Sequence, residues 1–149
     1  MTVSVSVQEE DFDIAAEIDA LTSGDGDIGA VATFTGLVRD TGGVSEMMLE
    51  HYPGMTERAL KAIADEAAER WPLAGLRIVH RFGALKPQDR IVLVIAASRH
   101  RRAAFDAAQF TMDYLKTRAP FWKKESGRDG GRWVDARDSD DAAEARWRK

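Results

Sequence analysis

Residues Ile91 to Ala97 read Ile-Val-Leu-Val-Ile-Ala-Ala, an unbroken apolar run between the turn signal Lys86-Pro87-Gln88-Asp89 and Ser98. A short run without polar alternation leaves no face for water, so it is a central strand. The other strand signals differ from it. Val3, Val5 and Val7 alternate with Thr2, Ser4 and Ser6, and Leu76, Ile78, His80 and Phe82 alternate with Arg77, Val79 and Arg81, each predicting a strand with one wet face. Gly29 to Gly36 is rich in β-branched residues, Glu46 to Tyr52 precedes the Pro53-Gly54 turn, and Phe121–Glu125 and Arg132–Ala136 flank a glycine-rich hairpin signal at Gly127–Gly131.

Helices fall between these strands. Leu60, Ile63, Ala64, Ala67 and Trp71 form one apolar stripe over Thr56–Trp71, stopped by Pro72. Asp13 is positioned to cap a short helix presenting Ile14, Ile18 and Leu21. Ser98 is a candidate N-cap for a helix to about Thr117, with Phe105, Ala108, Met112 and Leu115 as its buried stripe, ended by Ala119-Pro120. Residues 139–149 read as a short polar helix or a tail. The order β-α-β-β-α-β-β-α-β-β, with short turns between neighbouring strands, predicts an α+β domain with mainly antiparallel strands and about three helices, a single domain over residues 1–149.

Composition narrows the chemistry. The chain has 149 residues and no cysteine, which excludes disulfides, thiolate metal sites and a cysteine nucleophile. Its three histidines, His51, His80 and His100, are scattered singly, so no metal site is expected. No stretch approaches the ~20 apolar residues of a membrane span, and the N-terminal residues lack a basic, apolar leader pattern. The expectation is a cytoplasmic protein. The net charge of −4 is uneven: residues 1–30 carry acids and no bases, whereas Arg99, Arg101, Arg102, Lys116, Arg118, Lys123, Lys124 and Arg128 crowd residues 99–128. A basic segment inside an acidic chain points to an anionic ligand rather than to nucleic acid.

No Walker-type GxxxxGK loop, GxGxxG, HExxH or GxSxG motif is present. What remains is a basic constellation with aromatics. Arginines at the Ser98–Arg102 helix start oppose the helix dipole, an arrangement an anion among them would relieve; the alternative is a solvated basic patch. Lys116 and Arg118 sit where cations are ordinary, at a helix C-terminus. Lys123 leaves the rigid corner Pro120-Phe121-Trp122, where neighbouring cations and rings lower a lysine's proton affinity. Strand alternation puts Phe121, Lys123 and Glu125 on one face and Trp122 and Lys124 on the other. Gly36 permits close backbone approach, and Arg39 can fork onto a phosphate or carboxylate. His51 reads as structural.

Five segments together resemble the large, catalytic subunit of molybdopterin synthase: Thr33-Phe-Thr-Gly-Leu-Val-Arg39, Leu49-Glu-His-Tyr-Pro-Gly-Met55, Ser98-Arg-His-Arg101, Met112-Asp-Tyr-Leu-Lys-Thr-Arg-Ala-Pro-Phe-Trp-Lys-Lys-Glu125 and Trp133-Val-Asp-Ala-Arg137. The resemblance implies an α/β-hammerhead-like fold and sulfur transfer from the C-terminal Gly-Gly thiocarboxylate of a small ubiquitin-like subunit to cyclic pyranopterin monophosphate, forming the dithiolene of molybdopterin. It implies a homodimer within a two-plus-two heterotetramer and no cofactor. Lys116 and Lys123 would be the catalytic pair, Lys123 moving protons and Lys116 steadying the thiocarboxylate or acyl group. Leu37, Val38, Arg39, His100, Arg101, Lys116, Lys123, Lys124, Glu125 and Arg137 would bind substrate, with Arg39, His100 and Arg101 on its phosphate and Arg137 serving a neighbouring subunit. Phe34, Met112 and Phe121 would line the channel for the partner's tail. Two other classes stay open from the residues alone: a module that senses a phosphorylated metabolite without turnover, and a nucleic-acid binder using Arg99–Arg102 and Trp122, against which the acidic total argues.

Overall fold

A computed structural model describes residues 1–40, 46–127, 130–134 and 138–148; from residue 124 to 139 it describes backbone only. It is a mixed α+β domain. The elements are β1 (Thr2–Gln8), α1 (Ile14–Thr22), β2 (Ala30–Leu37), β3 (Glu46–His51), α2 (Met55–Arg70), β4 (Leu73–Arg81), β5 (Gly83–Leu85), β6 (Arg90–Ser98), α3 (Arg101–Arg118), β7 (Phe121–Gly127), β8 (Gly130–Val134) and α4 (Asp138–Ala145). One four-stranded sheet runs β1-β4-β6-β2 and the other β5-β3-β7-β8. All pairings are antiparallel except β1 with β4, which is parallel.

The apolar run is indeed an inner strand, β6, and its burial alternates between two cores. Val92, Val94 and Ala96 join Leu76 and Ile78 of β4 against α2 and α3. Leu93 and Ile95 face the other way, with Val79 and Phe12, under Ile14, Ile18 and Leu21 of α1. The expected wet face of β4 is therefore corrected at Val79, which is fully buried. The covering helix α1 shelters that face, and Arg77 on it reaches Glu17 at 3.2 Å.

α2 buries the expected stripe of Leu60, Ile63, Ala64 and Ala67. It begins after Gly54, whose φ of 84° favours glycine, with the Gly54 N–H donating to Glu57 Oε1 at 3.0 Å. α3 departs from expectation in two ways. Its N-cap is His100, without a side-chain cap bond; Ser98 ends β6 and donates its hydroxyl to the Pro72 carbonyl at 2.8 Å. Its buried arc is Ala103, Ala104, Ala107, Ala108, Phe110, Thr111, Met112, Tyr114 and Leu115, so Phe105 is not in the stripe but 65% exposed. The alanines draw the helix close to the sheet, and Phe105 lies just beyond the rim of that arc.

The C-terminal segment, expected as a short polar helix or a tail, forms α4, the fourth helix among the described residues. It is an anchored helix rather than a tail. Trp147, just after it, packs edge-on against Trp71 and Phe110 at 5.5 and 5.7 Å between ring centres, and its indole N–H donates to Asp113 Oδ2 at 2.6 Å. Glu144 accepts the Thr117 hydroxyl at 2.6 Å and lies 2.7 Å from Arg148 and 3.5 Å from Arg118. These bonds hold its carboxyl down at about 2. α4 thus grips the last turns of α3, the segment that carries Lys116.

Removing this anchor should cost measurable stability. Trp147→Ala is expected to destabilise the fold by about 3 kcal/mol, the lower end for a large aromatic since the ring is only half-buried. Urea titration followed by circular dichroism reads it, and a loss under about 1 kcal/mol would show that α4 is not anchored as described.

Candidate functional site

β3 and β7 pair in a register that sets Leu49 opposite Lys123 and His51 opposite Phe121. Cross-strand partners share a sheet face, so these four side chains occupy one side of the second sheet. That side turns inward: Met47 and Leu49 are buried with Val38 and Leu85, and Phe121 packs onto the same cluster. Trp122 alternates to the other face, where its ring lies 4.8 Å from Tyr52. Lys123 is thereby carried half-buried towards the seam between the two sheets.

At that seam stands His80, the inward residue near the end of β4. Its ring stacks on Phe121 at 3.8 Å and an interplanar angle of 17°, and its Nδ1–H donates to the Arg81 carbonyl at 2.8 Å. A carbonyl only accepts, so Nδ1 carries the hydrogen and Nε2 the lone pair. Burial pushes its pKa down to about 3, opposed by the Arg81 bond and assisted by the charges of Lys116, His51 and Lys123. Lys116 from the last turn of α3 and Lys123 from β7 therefore lie within electrostatic reach of one uncharged imidazole. Two cations beside one uncharged imidazole give the seam a positive potential that suits an anionic ligand.

His51 completes the floor. Its ring centre is 4.5 Å from that of Phe82 and 5.9 Å from that of Phe121. Its Nδ1 lies 3.0 Å from Thr56 Oγ1, whose own hydrogen goes to the Tyr52 carbonyl at 2.9 Å. Thr56 must then accept from His51 Nδ1–H, which in the neutral ring leaves Nε2 as an acceptor here too. Sequence reading missed both imidazoles as members of the site. The available signal was His80 on the apolar side of its strand, a place where a histidine must stay neutral.

The other expected site residues are more dispersed. Leu37 is 53% exposed and Arg39 lies on the surface, but Val38 between them is buried, with its N–H donating to the Asp89 carbonyl and its carbonyl accepting from Gln88 N–H. What that stretch offers outward is Leu37 and Arg39. Phe34 is 43% exposed on β2, the outer strand of its sheet, whereas Met112 is buried in the core onto which Phe121 packs. His100 and Arg101 are exposed at the start of α3. From Arg101 to Lys116 the helix axis runs roughly 22 Å at ~1.5 Å per residue, so one chain does not bring these two sets together. The side chains of Lys124 and Glu125, and Arg137 altogether, lie outside the described residues.

No trio of metal-ligating side chains gathers among the described residues, and no helix there is long and apolar enough to cross a membrane. Residues 7–118 match the family model described as MoaE protein. The chain belongs to the MoaE family. A relative in Mesorhizobium japonicum, named molybdopterin synthase catalytic subunit, is 57% identical over 148 residues, covering 97% of this chain and 93% of its own length. The solved molybdopterin biosynthesis MoaE protein from Burkholderia ambifaria superposes with a TM-score of 0.85 at 55% identity, covering 99% of this chain and 98% of its own. The molybdopterin synthase structure from Staphylococcus aureus gives 0.80 at 34% identity over 87% of this chain and 96% of its own. The two-sheet, four-helix arrangement is thus a MoaE architecture, and the lysine pair sits at its seam.

The buried imidazole has a pH signature. Unfolded, it takes a proton near pH 6.5; folded, only near 3, so between those values the unfolded chain binds more protons. Its contribution is complete above pH 6.5 and declines as the pH falls towards 3. Denaturant titrations between pH 6.5 and 4.5 should show stability dropping with acid in the wild type and a flatter dependence in His80→Gln. Equal slopes would mean that His80 is not held neutral.

Proposed function

We propose that the two lysines converging on the His80–Phe121 floor form the reacting centre of a sulfur transfer. In this reading the small ubiquitin-like carrier threads its Gly-Gly thiocarboxylate into the seam, and cyclic pyranopterin monophosphate receives the sulfur. The observation that carries it is the shared electrostatic reach of Lys116 and Lys123 at one neutral, buried imidazole. The chain has no cysteine to hold a persulfide, so sulfur arrives on a partner. Lys116 steadies the carboxyl end of the carrier, whose negative charge offsets the lysine pair. Lys123 moves the proton as sulfur bonds to the substrate and water takes the acyl carbon, which breaks the carrier's carbon–sulfur bond and returns the carrier as its carboxylate. Phe121 and Met112 supply the apolar wall, and glycines pass a narrow channel without side-chain clash.

The phosphate set fits the same reading if a second copy supplies it. His100 and Arg101 lie too far along α3 from Lys116 to serve their own chain's centre. A homodimer would let them, with Arg137, meet the phosphate at a neighbour's lysines, alongside Leu37 and Arg39. The outer edge of β2, with Val31, Phe34 and Leu37 exposed, and Phe105 on α3 are surfaces that a two-plus-two assembly can cover. Lys124 and Glu125 belong to the proposed substrate contacts through the strand that bears them. Cytoplasmic residence belongs to the same reading.

Lys123→Ala should reduce single-turnover sulfur transfer from a thiocarboxylated carrier by roughly 10²–10⁴-fold with the fold intact, the usual worth of an acid–base group. Activity within a few-fold of wild type would overturn its role. Arg101→Ala should weaken substrate binding, measured by calorimetry, by about 1.5–3 kcal/mol, the loss of one charge-assisted contact. Unchanged affinity would remove Arg101 from the phosphate set.

A further inference from the structure

Lys123 has an unmet need in this structure. Its side chain is half-buried, and among the described residues its ammonium meets no hydrogen-bond acceptor and no carboxylate. A partly desolvated ammonium without an acceptor is costly, and it is free to wander among rotamers. A proton-transfer group that wanders is a poor catalyst, because misplacement of an ångström costs rate. Something must hold it in the productive position.

His51 is built for that. It lies on the same sheet face, diagonal to Lys123: His51 pairs with Phe121 and Leu49 with Lys123, so the two side chains are next neighbours across the ladder. Its ring is fixed at Nδ1 by Thr56, which α2 holds fully buried, and Phe82 packs against its side at 4.5 Å. The Thr56 hydroxyl has its single hydrogen committed to the Tyr52 carbonyl. The neutral imidazole therefore presents Nε2 as a lone pair, with no partner of its own among the described residues. Nothing else in the His51-Tyr-Pro-Gly turn requires a histidine: the turn itself is made by Pro53 and by Gly54 at φ 84°. His80 offers a second Nε2 but is itself buried under Phe121, so it serves as floor.

We infer that His51 is a positioning residue for Lys123: Nε2 of a tautomer locked by Thr56 accepts a hydrogen bond from the Lys123 ammonium and holds it at the reacting centre. This rests on the sulfur-transfer reading and adds to it an acceptor that neither the motif pattern nor the family match assigned. The role asks only for a lone pair at the Nε2 position, and the proton transfer itself stays with Lys123.

The two amide side chains separate the ring's two ends. Asparagine reproduces the Nδ1 donor to Thr56 and lacks the Nε2 acceptor. Glutamine reaches the Nε2 position with an amide that accepts. In single-turnover sulfur transfer with thiocarboxylated carrier, His51→Asn should lower the rate at saturating substrate at least 10-fold with substrate KM within threefold of wild type. His51→Gln should recover the rate to within about threefold of wild type. Because His51 acts only through Lys123, His51→Asn placed in the Lys123→Ala background should cost no further rate, a non-additivity that a purely structural histidine would not show. Full activity of His51→Asn, equal losses in the Asn and Gln variants, or additive losses with Lys123→Ala would each overturn the inference. If His51→Asn folds poorly, His51→Ala takes its place in the cycle: a loss additive with Lys123→Ala overturns the inference and a non-additive loss supports it. Failure of the sulfur-transfer reading is distinct, because it would appear as a wild-type chain that transfers no sulfur from the carrier, whatever His51 does.

Discussion

Everything in this fold follows from covering both faces of β6. A strand whose consecutive side chains are all apolar must be sheltered above and below, and no single helix can do both. α1 closes one side over Leu93, Ile95 and Val79, and α2 with α3 closes the other over Val92, Val94 and Ala96. The alanines at 103, 104, 107 and 108 let the first half of α3 lie close to the sheet, and Phe110, Met112 and Leu115 fill the space beneath its second half. Its last turn then comes down beside the end of β4 and the start of β7, which is where the lysine-bearing corner begins. The site is thus a consequence of how the core is sealed.

The electrostatics of the seam balance cations against a neutral floor. Lys116 and Lys123 approach a buried imidazole that burial itself keeps uncharged, so the protein avoids a third positive charge at the same point. The stack of His80 on Phe121 also joins the two sheets, because one ring belongs to β4 and the other to β7. Protonating His80 would charge the joint between them. Meanwhile α4 fixes the other lysine from behind: Glu144 and Trp147 take up Thr117 and Asp113, the neighbours of Lys116 on its helix. The two lysines are therefore brought to the seam by separate parts of the tertiary structure, Lys116 by α3 and Lys123 by β7.

Much of this was legible in the residues. The unbroken run at 91–97, the stripe of α2, the Gly54 turn and the β7–β8 hairpin are local patterns, and local patterns are set by spacing and by glycine and proline chemistry that the chain carries everywhere. Lys116 and Lys123 stand out in the sequence too, one as a cation on a helix end and one at a rigid aromatic corner, and the family resemblance implies roles for them. The failures share a cause. Phe105 and Val79 were misjudged because a residue's burial depends on which distant element covers it: among the described residues nothing covers Phe105, and α1 covers Val79.

By itself the sequence determined the elements, the α+β class, the absence of thiol chemistry and the basic, aromatic segment in which the lysines lie, since each of these depends on residue type and on neighbours a few positions away. The tertiary structure alone decided that His51 and His80 share a floor with Lys123, that Val38 faces inward between two outward neighbours, and that Arg101 and Lys116 occupy opposite ends of one helix. Those facts arise from strand register and helix length, which convert sequence separation into distance, and the register of β3 on β7 is fixed by side-chain burial on a sheet face that no local stretch of sequence contains.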